Sequence, residues 1–263
     1  MEIIMEFNSD QRKARIVELL NENGEVKVSA LSKMFNISEV TIRFDLEALE
    51  NEGLLSRVYG GAVSSGKLYH EMDLKQRFMA NEAEKKAIAE QIASMINNND
   101  TIMMNAGTTL TYVLRALKGT GRKKKNISLV TNSIQTALEA SSYQGFNVTL
   151  LGGYIDSKYQ FTYGSDVIQQ LSNYHADKLI LSVDGINCDA GYTLYYSHET
   201  DVTRTMMSRS ATTIVAADCS KIGRIAFANA APLDKADYIV TNEAAPKDYV
   251  EAIRERGVNV VLV

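Results

Sequence analysis

The stretch from residue 38 to residue 61, SEVTIRFDLEALENEGLLSRVYGG, decides the fold of the first quarter of the chain. A serine precedes a segment in which Ile42, Leu46 and Leu49 recur on one face at helical spacing. Gly53 ends this segment, and an apolar pair, an arginine and a Gly-Gly turn follow. With a shorter helix predicted upstream, this order is typical of a winged helix-turn-helix, whose second helix lies in the DNA major groove.

The rest of the first 76 residues fits this interpretation. A first helix is predicted over residues 9–23, where Asn23-Gly24 ends it, and a second over residues 27–35. The wing hairpin is predicted within residues 54–61, which completes a DNA-binding domain of residues 1–61. Residues 62–76 lose all periodicity and contain Ser-Ser-Gly, so they are predicted to be a linker.

The third helix carries the candidate DNA contacts. With Ile42 set inward, helical spacing turns Val40, Arg43, Phe44 and Glu47 outward. Arg43 is a candidate to contact guanine, and the full set of candidate DNA-contact residues is Ser38, Val40, Thr41, Arg43, Phe44, Arg57 and Tyr59. The alternative is a solvated helix with a stray exposed phenylalanine.

Bulk composition limits the function classes. The chain has 263 residues and a net charge of −4, and residues 1–62 hold seven Lys plus Arg against eleven Asp plus Glu. Nonspecific DNA affinity should therefore be modest and salt-sensitive, and a dimer would double the phosphate contacts. No apolar run approaches the roughly 18 residues of a membrane span, and the acidic N-terminus lacks a secretion signal. We expect a cytoplasmic protein.

Cysteine and histidine usage argues against metal sites and disulfide scaffolds. Cys188 and Cys219 are too few for either a disulfide framework or a zinc ribbon. His70, His175 and His198 are scattered along the chain. No metal, cofactor or catalytic residue is predicted.

From residue 77 the pattern changes to alternating strands and helices. A helix is predicted over residues 81–97, and amphipathic helices separate most of the apolar runs that follow it. The predicted strands are TIMMNA (101–106), ISLVT (127–131), NVTLLGG (147–153), KLILSVDG (178–185), ATTIVAAD (211–218), DYIVTN (237–242) and NVVLV (259–263). This alternation predicts an α/β domain over residues 77–263, with a mostly parallel sheet covered by helices on both faces.

Polar residues and glycines follow most of these strands. In open α/β sheets, ligands lie at the carboxyl ends of the strands. The residues found there are Asn105, Gly107, Thr108, Thr109, Thr131, Asn132, Gly152, Gly153, Asp184, Gly185 and Lys221, with Glu199 at a helix start between the fourth and fifth strands. Each alone is ordinary turn chemistry, but together they offer donors for an anion and carboxylates for hydroxyls. The set predicts a small phosphorylated polyol, and the lack of a Walker A or GxGxxG motif argues against a nucleotide.

The residues match a known pattern across the whole chain. TIRFDLEALENEGLLSRVYGGAV resembles the signature of the DeoR family of bacterial transcriptional regulators. NAGTT, TN, LGG, DGI and DCSKIG resemble, in order, that family's sugar-phosphate sensor domain, whose fold is related to ribose-5-phosphate isomerase. The resemblance implies an oligomeric repressor, dimeric or tetrameric, released from double-stranded operator DNA by a phosphorylated sugar.

Two positions depart from the family pattern. The family usually has two successive arginines in the third helix, where this chain has Arg43-Phe44, so its operator would differ. The first sensor loop commonly begins with Asp, where this chain has Asn105, which changes the expected hydroxyl pattern of the ligand.

Two other functions are open from the sequence. The first is a sugar-phosphate isomerase fused to a DNA-binding domain, with Asp184, Asp218 and Lys221 as acid, base and electrostatic stabiliser. The second is a DNA-bridging protein whose second domain binds no ligand.

Overall fold

The computed structural model describes residues 7–51, 54–64, 72–119 and 124–263. Gly53, His70 and residues 65–71 of the predicted linker lie outside the described residues. The chain divides into two compact units, Met1–Met72 and Asp73–Val263.

The N-terminal unit is a winged helix-turn-helix, as predicted. Its elements are α1 (Ser9–Asn23), β1 (Glu25–Lys27), α2 (Val28–Phe35), α3 (Glu39–Asn51), β2 (Leu55–Val58) and β3 (Gly61–Ser64). The three helices bury one apolar core that includes Ile16, Leu31, Ile42 and Leu46. The strands form an antiparallel sheet in the order β1-β3-β2, in which β1 was not predicted because three residues give no usable periodicity.

The predicted linker boundaries differ from the observed elements. Residues 62–64 belong to β3, and a helix, α4 (Leu74–Met79), begins within the predicted linker. Gly61 allows β3 to begin beside β1, because a Cβ at this position would lie 2.0 Å from the carbonyl oxygen of Val26 on β1. Only glycine allows the two backbones to approach this closely.

The C-terminal unit is built around a parallel sheet. Its remaining helices are α5 (Glu82–Met95), α6 (Thr108–Lys118), α7 (Ile134–Ser141), α8 (Ser165–Leu171), α9 (His198–Ser208) and α10 (Lys247–Glu255). The sheet strands are β4 (Thr101–Met104), β5 (Ile127–Thr131), β6 (Phe146–Leu150), β9 (Ala176–Leu181), β12 (Ser210–Ala216), β14 (Tyr238–Thr241) and β15 (Asn259–Leu262). They pair in parallel in the order β15-β14-β12-β9-β4-β5-β6, which confirms all seven predicted strands.

Two apolar cores cover the two faces of this sheet. Ile102 and Met104 pack with α5 and α6 in one core, whereas Met103 between them belongs to the other, with residues of α8, α9 and α10. This alternation follows from the twofold repeat of a strand, and it confirms the predicted helices on both faces. None of the helices in the described part of the chain has an apolar stretch long enough to span a membrane.

Short antiparallel strands were missed by the sequence interpretation. They are β7 (Tyr154–Asp156), β8 (Phe161–Tyr163), β10 (Gly185–Asn187), β11 (Gly191–Leu194) and β13 (Ala228–Ala231), and they form sheets β7-β8 and β10-β11-β13. The predicted strand 178–185 is therefore two elements, because β9 ends at Leu181 and Gly185 begins β10. A Cβ at Gly185 would lie 2.5 Å from the carbonyl oxygen of Arg224, so this glycine is required for packing.

Candidate functional site

The start of α3 is fixed by Ser38 and Thr41. The Thr41 N–H donates to Ser38 Oγ at 3.1 Å, and the two hydroxyl oxygens lie 2.9 Å apart. This is an N-cap, which satisfies a backbone donor that the first turn of a helix leaves unpaired. These two candidate DNA-contact residues therefore already have a structural role at the helix start.

The outward face of α3 matches the prediction. Val40, Arg43, Phe44 and Glu47 are exposed, with Val40 at 56% and Phe44 at 66%, while Ile42 is buried. The Arg43 guanidinium forms an ion pair with Glu39, with Nη2 2.8 Å from Oε2.

Arg57 and Tyr59 lie on the wing hairpin. Tyr59 is fully exposed at its tip, whereas Arg57 is held by α3. The Arg57 backbone N–H and Nε each donate to a carboxylate oxygen of Glu50 at 2.7 Å, and these bonds lower the pKa of Glu50. Arg57 therefore connects the wing to α3, and it can contact DNA only by giving up part of this pairing.

The predicted effector-contact residues come from neighbouring strands. Because β12, β9, β4 and β5 are adjacent, their carboxyl ends lie along one edge of the sheet. Most of these side chains are buried: Asn105, Thr108, Thr109, Thr131, Asn132, Glu199 and Lys221.

Asn105 binds the protein backbone with both ends of its amide. Its Oδ1 accepts from the Ser182 N–H at 2.8 Å, and its Nδ2 donates to the Ser182 carbonyl at 2.9 Å. Gly107 packs on the same serine, because a Cβ there would lie 2.5 Å from Ser182 Cβ. Asn105 therefore joins the loops after β4 and β9, a role that the sequence did not indicate.

The helices after β4 and β5 begin differently. Ser133 caps α7, with Oγ accepting from the Thr136 N–H at 3.1 Å, whereas no side chain caps α6 at Gly107. The first turn of a helix presents backbone N–H groups to an anion when no side chain caps it. Thr108 and Thr109 lie in this turn.

Asn132 has one buried polar atom without a protein partner. Its Nδ2 donates to the Thr162 carbonyl at 2.9 Å, but its Oδ1 accepts no hydrogen bond within the described part of the chain. Thr131 Oγ1, in contrast, accepts from the Ser133 N–H. Within the described residues, three further buried side-chain atoms also have no hydrogen-bond partner: Thr136 Oγ1, His198 Nε2 and Thr241 Oγ1. Buried polar atoms of this kind favour a site that a ligand or water completes.

Two buried ionisable groups of this unit, Lys221 and Glu199, have displaced pKa values. Burial, and then the charge of Arg224, lower the pKa of Lys221 to about 7, although Asp218 and Asp184 act in the opposite direction. Burial, and then the charge of Asp184, raise the pKa of Glu199 well above its ordinary value. Glu199 therefore keeps its proton to a higher pH than an exposed glutamate does, and the protonated carboxyl can donate a hydrogen bond.

The sequence interpretation missed three residues near Asp218 and Lys221 because they precede the first predicted strand: Arg77 on α4, Lys85 on α5, and Asn81 between these two helices. The Arg77 guanidinium lies 3.9 Å from the Tyr159 ring centroid, and Asn81 Nδ2 donates to Asp218 Oδ1 at 3.0 Å. Lys85 is buried, with Nζ donating to the Ala80 carbonyl at 2.6 Å, and burial lowers its pKa to about 8. The sequence did contain an indication that Lys85 is buried, because helical spacing places it on the same face of α5 as the apolar residues Ile88 and Ile92.

Three predicted glycines have packing roles. The Gly152 backbone exchanges two hydrogen bonds with the Gln170 amide, at 3.1 and 2.9 Å. A Cβ at Gly153 would lie 2.6 Å from the Tyr163 carbonyl oxygen, and Gly185 is similarly confined.

The carboxylate of Asp184 is fixed by the backbone, because its Oδ2 accepts a hydrogen bond from the Tyr195 N–H at 2.9 Å. Within the described residues, no group of three or more His, Cys, Asp or Glu side chains could hold a metal ion.

Both units match known protein families. Residues 12–67 match a family model described as a DeoR-like helix-turn-helix domain, and residues 80–243 match the DeoR C-terminal sensor domain. A putative aga operon transcriptional repressor of Escherichia coli O157:H7 is 30% identical, over 97% of this chain and 94% of its own length. The transcriptional repressor AccR of Agrobacterium fabrum is 33% identical over 96% of each chain.

Solved structures give a weaker likeness. Ribose 5-phosphate isomerase from Plasmodium falciparum aligns with 52% of this chain and 51% of its own, at 22% identity and a TM-score of 0.39. That score is too low to support a conclusion about function.

Proposed function

The chain belongs to the DeoR family of transcriptional regulators, and we propose that it represses a carbohydrate-utilisation operon until a phosphorylated sugar binds its C-terminal unit. In this proposal α3 and the wing bind double-stranded operator DNA, and the residues at the strand ends bind the effector. The matching family models and the named relatives are regulators, so the isomerase interpretation has no support from them.

One observation carries the effector proposal: polar groups suited to a phosphorylated sugar come from adjacent strands of one sheet edge. The uncapped start of α6 and the buried Lys221 suit a phosphate group. Asn132 Oδ1, Asp184 and Glu199, whose pKa is raised by burial, suit sugar hydroxyls. Because a buried polar group without a partner costs free energy, a ligand that completes the hydrogen bonds of these groups should bind favourably.

Release from DNA requires that the effector bind one arrangement of the protein better than another. A coupling free energy of about 1–3 kcal/mol would change operator affinity by about 5- to 150-fold. The segment between the two units is the expected route of this coupling.

Self-association is part of the proposal. The first 62 residues carry few cations, so a second copy would add the phosphate contacts that one copy lacks. Light scattering of the purified protein would then give the mass of a dimer or tetramer.

The test uses the full-length protein, a DNA duplex selected by it from a random-sequence pool, and a panel of hexose and pentose phosphates. One compound should raise the melting temperature and release the DNA, because a ligand that binds only the native state stabilises it. Lys221→Ala should bind DNA normally but lose the response, whereas the exposed Lys235→Ala should keep it. A normal response in Lys221→Ala would contradict the proposed phosphate contact.

The panel also separates the alternatives. No stabilisation by any phosphorylated metabolite would favour the DNA-bridging protein. Sustained conversion of a sugar phosphate would favour the isomerase.

A further inference from the structure

Two apolar side chains stand out on the outward face of α3. Val40 and Phe44 are four residues apart, so they are neighbours on one side of the helix. They are 56% and 66% exposed. Glu39 and Glu47 lie beside them on the same exposed face.

The charges on this face are paired within the protein. Arg43 forms its ion pair with Glu39, and Arg57 of the wing binds Glu50 and lies 3.6 Å from Glu47. These three glutamates and two arginines leave a negative balance, which does not attract phosphates. The outward face of α3 is therefore poorly suited to contact the DNA backbone and better suited to contact base edges.

The base edges offer one apolar group to such a surface. In the major groove, guanine, cytosine and adenine present hydrogen-bonding groups, while thymine adds its C5 methyl group. A valine and a phenylalanine can neither donate nor accept a hydrogen bond, so the methyl group is the feature that they can distinguish.

We propose that Val40 and Phe44 select thymine in the operator by packing against its C5 methyl group. This inference rests on the proposed function, because it requires α3 to lie in the major groove. The inference states how the protein distinguishes its operator from other sequences. Each half-site contains thymine opposite Val40 and Phe44, and these two side chains, rather than Arg43, set the preference for thymine.

The experiment removes the methyl group and the side chain separately. The full-length protein first selects duplexes from a random-sequence pool, and each thymine of the selected site is then replaced by deoxyuridine, which lacks only the methyl. At a contacted position the loss of one buried methyl should weaken binding by about fourfold. Phe44→Ala should bind the thymine duplex more weakly than the parent protein does. The variant should also bind the thymine and deoxyuridine duplexes with equal affinity.

Two controls keep the result interpretable. Leu138→Ala removes a side chain of similar exposure, 65%, from α7 of the other unit, and it should keep the fourfold difference. Because Phe44 is exposed, Phe44→Ala should fold normally, which circular dichroism checks.

The possible outcomes separate this inference from the proposed function. A protein that selects a defined site but binds the deoxyuridine and thymine duplexes equally would overturn the inference and leave the regulator intact. A methyl effect that persists unchanged in both Phe44→Ala and Val40→Ala would also overturn it. Selection of no sequence at all would overturn both.

Discussion

The candidate binding sites of the two units place their charged side chains in opposite environments. On the outward face of the N-terminal unit, Arg43 and Arg57 form exposed ion pairs with glutamates. In the C-terminal unit, Lys221 follows β12 and Glu199 lies in the first turn of α9; both are buried and have displaced pKa values. Exposed pairs contribute about 0–1 kcal/mol to stability, whereas buried polar groups favour a small ligand that completes their hydrogen bonds in place.

One ion pair in the N-terminal unit breaks this pattern and gives the largest predicted effect. Arg12 on α1 and Asp45 on α3 are buried and bonded twice, with Nε–Oδ2 at 2.6 Å and Nη2–Oδ1 at 3.0 Å. Asp45→Ala leaves the Arg12 charge buried without its partner, which should destabilise the unit by about 3–5 kcal/mol. Hydrogen exchange of α1 and α3 amides measures this loss.

The control for Asp45→Ala is Glu18→Ala, which removes an exposed ion pair with Arg15 on α1. It should cost less than about 1 kcal/mol. Equal protection factors in the two variants would mean that the Arg12–Asp45 pair is no more important than a surface pair.

Asn105 tests whether the strand-end residues serve the fold or the ligand. Asn105→Asp keeps the acceptor for the Ser182 N–H but replaces the donor to the Ser182 carbonyl with an oxygen. Leaving that carbonyl unsatisfied should cost about 1–3 kcal/mol, which lowers the melting temperature by about 2–4 °C per kcal/mol. Calorimetry would compare it with the exposed Asn147→Asp, which should melt like the parent.

A melting temperature unchanged by Asn105→Asp would contradict this assignment. The Asn105 amide would then be available to an effector, as the sequence alone suggested.

The pKa of Lys221 predicts how effector affinity depends on pH. A phosphate monoester is a dianion above about pH 6, and it binds best to the charged lysine. Because burial lowers the pKa of the empty site to about 7, the lysine loses its proton as the pH rises above 7. Affinity should therefore fall by up to about tenfold per pH unit above that value.

Titration calorimetry at pH 6.5, 7.5 and 8.5 measures this dependence. Lys221→Arg, which keeps its charge throughout this range, should give a flatter profile. A flat profile in the parent protein would show that Lys221 does not meet the phosphate.

The same contrast between exposed and buried groups explains what the sequence could predict. The seven parallel strands were found because central strands are continuous apolar runs, and the outward positions of α3 followed from helical spacing. Three-residue strands such as β7 carry too few residues for a pattern. Arg77 and Lys85 were missed because they lie on helices that precede the first predicted strand. Asn105 was predicted as an effector contact, but the sequence could not show that its amide bonds to the Ser182 backbone.

Glu199 gives the smallest predicted effect and the sharpest test of buried charge in the C-terminal unit. Because burial and Asp184 raise its pKa well above the ordinary value, the carboxyl keeps its proton to a higher pH than an exposed glutamate does, and in that neutral form it resembles a glutamine amide. Glu199→Gln should therefore change effector affinity and melting temperature by amounts near experimental error, whereas Glu199→Ala should weaken binding by removing the polar group. A large loss of affinity in Glu199→Gln would mean that an ionised carboxylate, rather than a neutral carboxyl, binds the effector.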